Sequence, residues 1–293
     1  MKPAPFRYAD PGTLDEALAV LSAEGEGAKV LAGGQSLLPL LSMRLAAPAT
    51  LVDINRVPGL DTVEATGDGV TVGALVRHNA LLKDDAAARV QPLLARATAN
   101  VAHPAIRNRG TTVGSIAHAD PSGEMTSVLA LTDGSVEVST PSGPQTIGWR
   151  DLFVGPLETS IHGPAVVTSA FFPALPPRSG TAFAEVARRK GDYAVCGGGV
   201  VVTLDADGRV AAVRAAYISV GLTPEVHDLT DAVIGQPADG ADWAGAGALA
   251  RTLVDPDTDL HASADYRRLL VGVLTERMLA SAAAEAFARV TGE

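Results

Sequence analysis

The stretch LAGGQSLLPLL at 31–41 constrains the chain more than any other. An apolar run ending at Leu31 enters Ala32 and the pair Gly33–Gly34. Gln35–Ser36 then leads into a second apolar run that starts at Leu37. Two consecutive glycines adopt φ > 0 freely and carry no Cβ to hold a neighbour away. Their N–H groups can line a concavity for an anion such as a diphosphate, and Ser36 stands where it can cap a short following helix. A strand, a glycine turn and a helix also form an ordinary connection, so the diphosphate reading depends on what the rest of the chain supplies.

A chain of 293 residues is long enough for a sizeable core and two domains. Its apolar fraction of 47% and charged fraction of 19% are those of a globular protein. A formal charge of −10 argues against a nucleic-acid partner, which requires a basic face. The single cysteine, Cys196, excludes a disulfide framework and an iron–sulfur cluster held by this chain alone. The six histidines have no metal-ligand spacing, and no G-x-S-x-G frames a nucleophilic serine. MKPAPFRYADPG lacks the apolar core of a secretion signal, and no run approaches the roughly 20 apolar residues of a membrane span. The expectation is a cytoplasmic protein without membrane insertion.

Thr13 with Glu16 has the form of a capping box ahead of Leu14, Ala17, Leu18 and Leu21 at helical spacing. Strands are expected at 28–31 and 50–54, and together these elements make a small α/β subdomain. A strand at 70–75, helices at 76–83 and 86–100, a long polar loop at 104–124, a short helix at 125–131 and strands at 135–139 and 165–172 follow. Prolines in FPALPP at 172–177 mark a domain boundary. Beyond it, strands at 182–188, 198–205 and 210–220, with a hairpin turn at Asp207–Gly208, predict a three-stranded antiparallel sheet. Helices at 228–234, 241–253 and 264–290 complete it. GAGALA at 245–250 fits G-x-G-x-x-A but lies within a helical stretch and follows no strand, so packing is its reading. Asp255, Asp257 and Asp259 alternate as in a calcium loop, but Leu260 and Tyr266 stand where that loop needs Gly and Glu.

A second candidate ligand loop is RGTTVGSIAHADPSGE at 109–124. Thr111, Thr112 and Ser115 offer hydroxyls, Gly114 allows close backbone approach, and Asp120 and Glu124 offer acceptors for ribose or ribityl hydroxyls. Two such loops can clamp a diphosphate between subdomains.

The pair of loops resembles the FAD-binding medium subunit of molybdenum hydroxylases, the carbon monoxide dehydrogenase and xanthine dehydrogenase type. RRKGDYA at 188–194, VDPDTDLHASADYRR at 254–268 and LVDIN at 51–55 resemble further segments of that family, in order and nearly end to end. The resemblance implies an α+β chain. An FAD-binding domain of the PCMH type, similar to vanillyl-alcohol oxidase, would occupy 1–177 in two α/β subdomains, about 1–55 and 56–177. A smaller α+β domain of the carbon monoxide dehydrogenase flavoprotein type would occupy 178–293. It implies that Ala32, Gly33, Gly34, Gln35 and Ser36 hold the FAD diphosphate, flanked by Leu31 and Leu37. Thr111, Thr112, Gly114 and Ser115 would supply the other side. Glu124 matches the acidic contact to the cofactor's sugar or ribityl hydroxyls, with His118 and Asp120 beside it. Val101 and Val167 match apolar positions along the cofactor, and Lys190, Asp192 and Tyr193 match the segment near the flavin ring. Val113 stands where the family usually has glycine. A β-branched residue does not readily take φ > 0, so either φ is negative there or the loop runs differently.

The resemblance further implies a role without a catalytic side chain: non-covalent FAD takes electrons from a partner's [2Fe–2S] clusters and passes them to an external acceptor. The partners would be a large molybdenum-cofactor subunit and a small [2Fe–2S] subunit, in a heterotrimer or its dimer. A standalone flavin oxidase or dehydrogenase and a scaffold subunit that has lost FAD are the alternatives.

Overall fold

The computed structural model describes residues 2–291. Strand β1 (Arg7–Ala9) leads to helix α1 (Leu14–Glu24), which Thr13 starts by accepting the Glu16 amide on its hydroxyl at 3.2 Å. The Glu16 carboxylate accepts from the amide of Gly12 at 2.8 Å, so the reciprocal bond of the capping box falls one residue outside its usual place. Ala17, Leu18 and Leu21 bury the inner face of α1. Strands β2 (Ala28–Leu31) and β3 (Thr50–Asp53), with α2 (Leu37–Met43) between them, complete a parallel sheet in the order β1-β3-β2.

The second unit is an antiparallel sheet in the order β4-β5-β10-β6-β7. Its first strands are β4 (Val63–Ala65) and β5 (Gly69–Gly73), followed by α3 (His78–Leu81), α4 (Asp85–Val90), α5 (Pro92–Thr98), α6 (Pro104–Arg107), α7 (Thr112–His118) and α8 (Glu124–Leu131). Then come β6 (Ser135–Thr140), β7 (Gly143–Gly148), α9 (Trp149–Leu152), a small hairpin of β8 (Phe153–Gly155) and β9 (Glu158–Thr159), and β10 (Val166–Pro173). The helix expected over 86–100 is two helices, because Pro92 lacks an N–H and cannot continue α4. Gln91 bridges the break, donating its side-chain amide to the Pro173 carbonyl at 2.7 Å. The helix expected over 76–83 shrinks to α3. The polar stretch 104–124 is not a simple loop: Pro104 opens α6 and Thr111 caps α7.

The last unit is a four-stranded antiparallel sheet of β11 (Ser179–Ala187), β12 (Ala194–Leu204), β13 (Val210–Ile218) and β14 (Val226–Asp228), in that order. This corrects the expected three strands. The fourth strand ends at Asp228, where a helix over 228–234 was expected to begin. The Leu229 amide instead donates to the Val213 carbonyl at 2.9 Å, leaving only a single 3-10 turn at Thr230–Ala232. Helices α10 (Trp243–Leu253) and α11 (Ala264–Thr291) cover one face, and α5 and α8 press on the other. The G-x-G-x-x-A stretch is the contact face of α10: a Cβ on Gly247 would lie 2.6 Å from the Gly272 carbonyl of α11. Asp259 receives the Arg267 guanidinium at 2.8 Å, so the alternating aspartates anchor α11.

Ion pairs join this unit to the one before it: Arg214 of β13 reaches Asp133, just after α8, at 2.6 Å, and Arg96 of α5 reaches Glu285. Glu285 of α11 accepts two bonds from Arg96 of α5, at 2.7 and 2.9 Å, and one from the Thr181 amide of β11 at 2.8 Å. Burial opposes ionisation of this carboxyl, but the bonds from Arg96 and Thr181 outweigh it and hold its pKa below the ordinary 4.5. Such a group stabilises the fold above its unfolded-state value and loses that contribution as the pH falls through the folded-state value. With the pair partly solvated, Glu285→Ala is expected to cost about 1–2 kcal/mol near neutral pH. In urea unfolding, the gap between wild type and variant is expected to narrow as the pH falls below 4.5 and to close in more acidic solution.

Candidate functional site

The two glycine loops meet backbone to backbone. A Cβ on Gly33 would lie 2.5 Å from the Arg109 carbonyl oxygen, 2.8 Å from Gly110 Cα and 3.0 Å from the Thr111 amide nitrogen. Only glycine allows this approach. Gly34 turns the chain with φ of +72°, and its carbonyl accepts the Leu38 amide at 2.9 Å to start α2. Gln35 folds back to donate to the Gly33 carbonyl at 3.1 Å. Ser36 immediately precedes α2 with helical dihedrals and makes no capping bond, contrary to expectation, because the Gly34 carbonyl already starts the helix. Ala32, Ser36 and Leu37 are half-buried, as is Leu31 at the end of β2.

A polar bridge that sequence reasoning missed holds the loops together. The Asn55 side chain donates to the Ala32 carbonyl at 2.8 Å and accepts from Arg77 at 2.5 Å, and Arg77 donates to the Arg109 carbonyl at 2.6 Å. Asn55 follows β3 within the LVDIN motif, the one signal that could have pointed to it. A cavity of about 400 Å³ opens behind the bridge, lined in part by Asn55, Asp61 and Arg77 and by none of the sequence-predicted site residues.

In the second loop Thr111 caps α7, its hydroxyl accepting the Gly114 amide at 3.2 Å. A Cβ on Gly114 would lie 2.5 Å from that hydroxyl, so this glycine serves the cap and its N–H is already engaged. Thr112 is buried, with its hydroxyl 3.2 Å from His78 Nδ1, and supports the loop from behind. Burial and the nearby Arg107 push His78 down to about 4, so it is neutral near pH 7. Val113 lies inside α7 in helical conformation, with its side chain in the core. Of the two alternatives, negative φ is the one realised. Ser115, His118 and Asp120 are half-buried along the same rim, and burial lowers the His118 pKa against the pull of Asp120.

The third wall comes from the last sheet. Glu124 opens α8, and burial, with the charges of Glu185 and Asp120 adding to it, pushes its carboxyl up to about 8. Glu185 was not foreseen. It lies on β11 two residues after Phe183, on the sheet face that meets α8, and burial raises it to about 7. Its Oε2 is buried without a hydrogen-bond partner. Tyr193 precedes β12 with its ring exposed; desolvation and the Asp120 carboxylate push its hydroxyl up to about 12. The segment before it turns at Gly191 (φ +86°) against the His103 ring, and Val101, two residues before that histidine, is buried. Asp192 pairs with Arg189 at 3.2 Å, and Lys190 is exposed. Val167 lies in β10, half-buried against the core beside a bulge.

The groups present fit an elongated cofactor with a diphosphate and hydroxyl-bearing sugars. A glycine-built turn opens onto a rim of hydroxyls, and an orphan buried carboxyl oxygen awaits a donor. Comparison with known proteins agrees. Residues 4–175 match the FAD binding domain in molybdopterin dehydrogenase, and residues 181–282 match the CO dehydrogenase flavoprotein C-terminal domain. The chain is 40% identical to the nicotine 6-hydroxylase medium subunit of Paenarthrobacter nicotinovorans, over 97% of this chain and 99% of that one. Quinoline 2-oxidoreductase from Pseudomonas putida 86 superposes with a TM-score of 0.91 at 34% identity, over 98% of this chain and 100% of that one. Carbon monoxide dehydrogenase from Hydrogenophaga pseudoflava gives 0.90 at 32% identity, over 98% and 99%.

Two outcomes test this geometry. Gly33→Ala is expected to drive the loops apart, cost about 1–3 kcal/mol and lower FAD affinity at least tenfold, measured by denaturant unfolding and flavin titration. Gly27→Ala, whose Cβ would meet its nearest neighbour at 3.6 Å, is the neutral control. The second outcome concerns pH. Glu124 is raised on folding, so between 4.5 and about 8 the folded chain holds a proton that the unfolded chain releases. Stability must therefore fall as the pH rises through that window. Glu124→Gln is expected to flatten this decline in the flavin-free chain, read by thermal unfolding at a series of pH values.

Proposed function

The chain belongs to the FAD-binding family of molybdopterin dehydrogenases, as the flavoprotein medium subunit of the molybdenum hydroxylase type, and on that premise we propose that it is the electron exit of such a complex. Bound FAD supplies the exchange of electrons between one-electron carriers and a final acceptor. The rest of the work falls to this chain's own residues, which bind and orient the cofactor and shield it from water.

The observation that carries the proposal is the direct backbone contact between Gly33 and Arg109–Thr111. It places the 32–36 turn and the 111–115 rim side by side, where amides and hydroxyls from both can receive one diphosphate. Asp120 and Glu124 lie where they can accept from sugar or ribityl hydroxyls, and Tyr193 and Val101 offer an aromatic and an apolar surface to the ring. With one cysteine, the chain cannot hold [2Fe–2S] clusters itself. We assign those to a small partner subunit and the molybdenum cofactor to a large one, in a heterotrimer or its dimer.

The visible spectrum of the full chain, recorded before and after acid precipitation, tests the proposal. The expected result is a band near ~450 nm that passes into the supernatant, with about one FAD per chain, and co-purification with two further subunits. Colour retained in the pellet favours a covalent-flavin oxidase. A colourless chain that FAD cannot reconstitute makes it a scaffold subunit and overturns the reading.

A further inference from the structure

Ser219 follows β13 with φ of +63°, a left-handed conformation for a residue with a side chain. It ties three segments together. Its amide donates to the Pro121 carbonyl at 3.0 Å, and its hydroxyl lies 2.7 Å from the Ala194 carbonyl and 2.9 Å from the Ser122 hydroxyl. A hydroxyl has one proton and the Ala194 carbonyl can only accept, so Ser219 donates there and accepts from Ser122. Each tied residue adjoins a group that faces the cofactor. Asp120 immediately precedes Pro121, Glu124 follows Ser122 by two residues, and Tyr193 immediately precedes Ala194.

The other end of the same turn is fixed in a similar way. Ala119 is left-handed at φ of +54°, and its carbonyl accepts the amide of Leu157, itself at +59°. Between these anchors Asp120 accepts the Ser122 amide at 2.8 Å and the Gly123 amide donates to the Asp120 carbonyl at 2.9 Å. The turn is therefore bonded within itself as well as at both ends. Its placement against Tyr193 depends on Ser219, the residue bonded both to the turn and to the start of β12. A left-handed serine is strained by roughly 1 kcal/mol or more, and glycine would relieve that strain. What serine adds over glycine at this position is the hydroxyl.

We propose that Ser219 is a positioning residue of the FAD site, setting the distance between the Asp120–Glu124 turn and Tyr193 through its hydroxyl. The inference rests on the flavoprotein reading above. Ser219→Gly separates positioning from stability, because it removes backbone strain together with the hydroxyl. In the full chain stripped of flavin, this variant is expected to unfold at or above the wild-type temperature. Its Kd for FAD, from fluorescence titration, is expected to rise about tenfold. In a double-mutant cycle, Tyr193→Ala is expected to weaken FAD binding much less in the Ser219→Gly background than in wild type, because Ser219 acts through the placement of Tyr193. Equal FAD affinity in Ser219→Gly and wild type, or losses that simply add in the cycle, overturns the inference alone. A wild-type chain that takes up no FAD overturns the flavoprotein reading and this inference with it.

Discussion

The close approach of Gly33 to the backbone at 109–111 is the contact on which the site depends. Two loops almost eighty residues apart in sequence belong to different sheets, one parallel and one antiparallel. At their junction no side chain intervenes, so the geometry is set by main-chain atoms and by a single polar bridge through Asn55 and Arg77. Main-chain contacts of this kind have little room to relax. The rigidity matters because amides arranged for an anion work only when their directions are fixed before the anion arrives.

The third wall gives the cleft its polarity. The glycine loops contribute amides and hydroxyls, whereas the last sheet and the start of α8 contribute Glu124 and Glu185, both raised by burial, with Asp120 between them and Tyr193. A diphosphate and its sugars differ along their length in the same sense: acceptor-only oxygens at one end, hydroxyl donors further along. On the proposed reading that match sets an orientation, with the diphosphate at the glycine junction and the hydroxyl-bearing portion beside the carboxyls. On the same reading the last sheet is part of the binding site as well as a neighbour of it, and the Arg96–Glu285 pair seats α11 against α5 and against β11, the strand that carries Glu185.

Both loops were legible in the sequence because glycine pairs and threonine–glycine runs signal backbone geometry directly. The Thr13 cap, the packing role of the 245–250 glycines and the failure of the aspartates to form a calcium loop were legible for the same local reasons. What escaped has two sources. Some of it is local: Ser36 makes no capping bond because Gly34 already starts α2, and the Thr111 hydroxyl caps α7. The rest was set by non-local contacts. The fourth strand of the last sheet exists because β13 offers an edge, not because Val226–Asp228 has strong strand character. Glu185 and Arg77 carry no local pattern at all. A lone acid in a strand and a lone arginine before a helix become informative only when their neighbours are known.

Backbone strain gives an independent view of the same cleft. Ala102, Ala119, Leu157 and Ser219 all adopt left-handed φ, between +41° and +63°, without being glycine. Ala102 follows Val101, Ala119 leads into the Asp120 turn, Leu157 holds Ala119, and Ser219 holds Pro121. Each such residue destabilises the fold by roughly 1 kcal/mol or more, and the surrounding packing must over-determine it. Elsewhere in the chain, left-handed conformations serve plainer ends. Arg44 closes the C-terminus of α2, and Asp133 follows α8 where its carboxylate receives Arg214 at 2.6 Å. Around the cleft two of the four serve such ends as well: Ala119 closes the C-terminus of α7, and Leu157 lies in the tight turn between β8 and β9. What Ala102, Ala119 and Ser219 share besides is their place: on the proposed flavoprotein reading each fixes the chain next to a residue assigned to the cofactor, Val101 for the first, Asp120 for the second, and for Ser219, through its bonds to Pro121, Ser122 and Ala194, the Asp120–Glu124 turn and Tyr193.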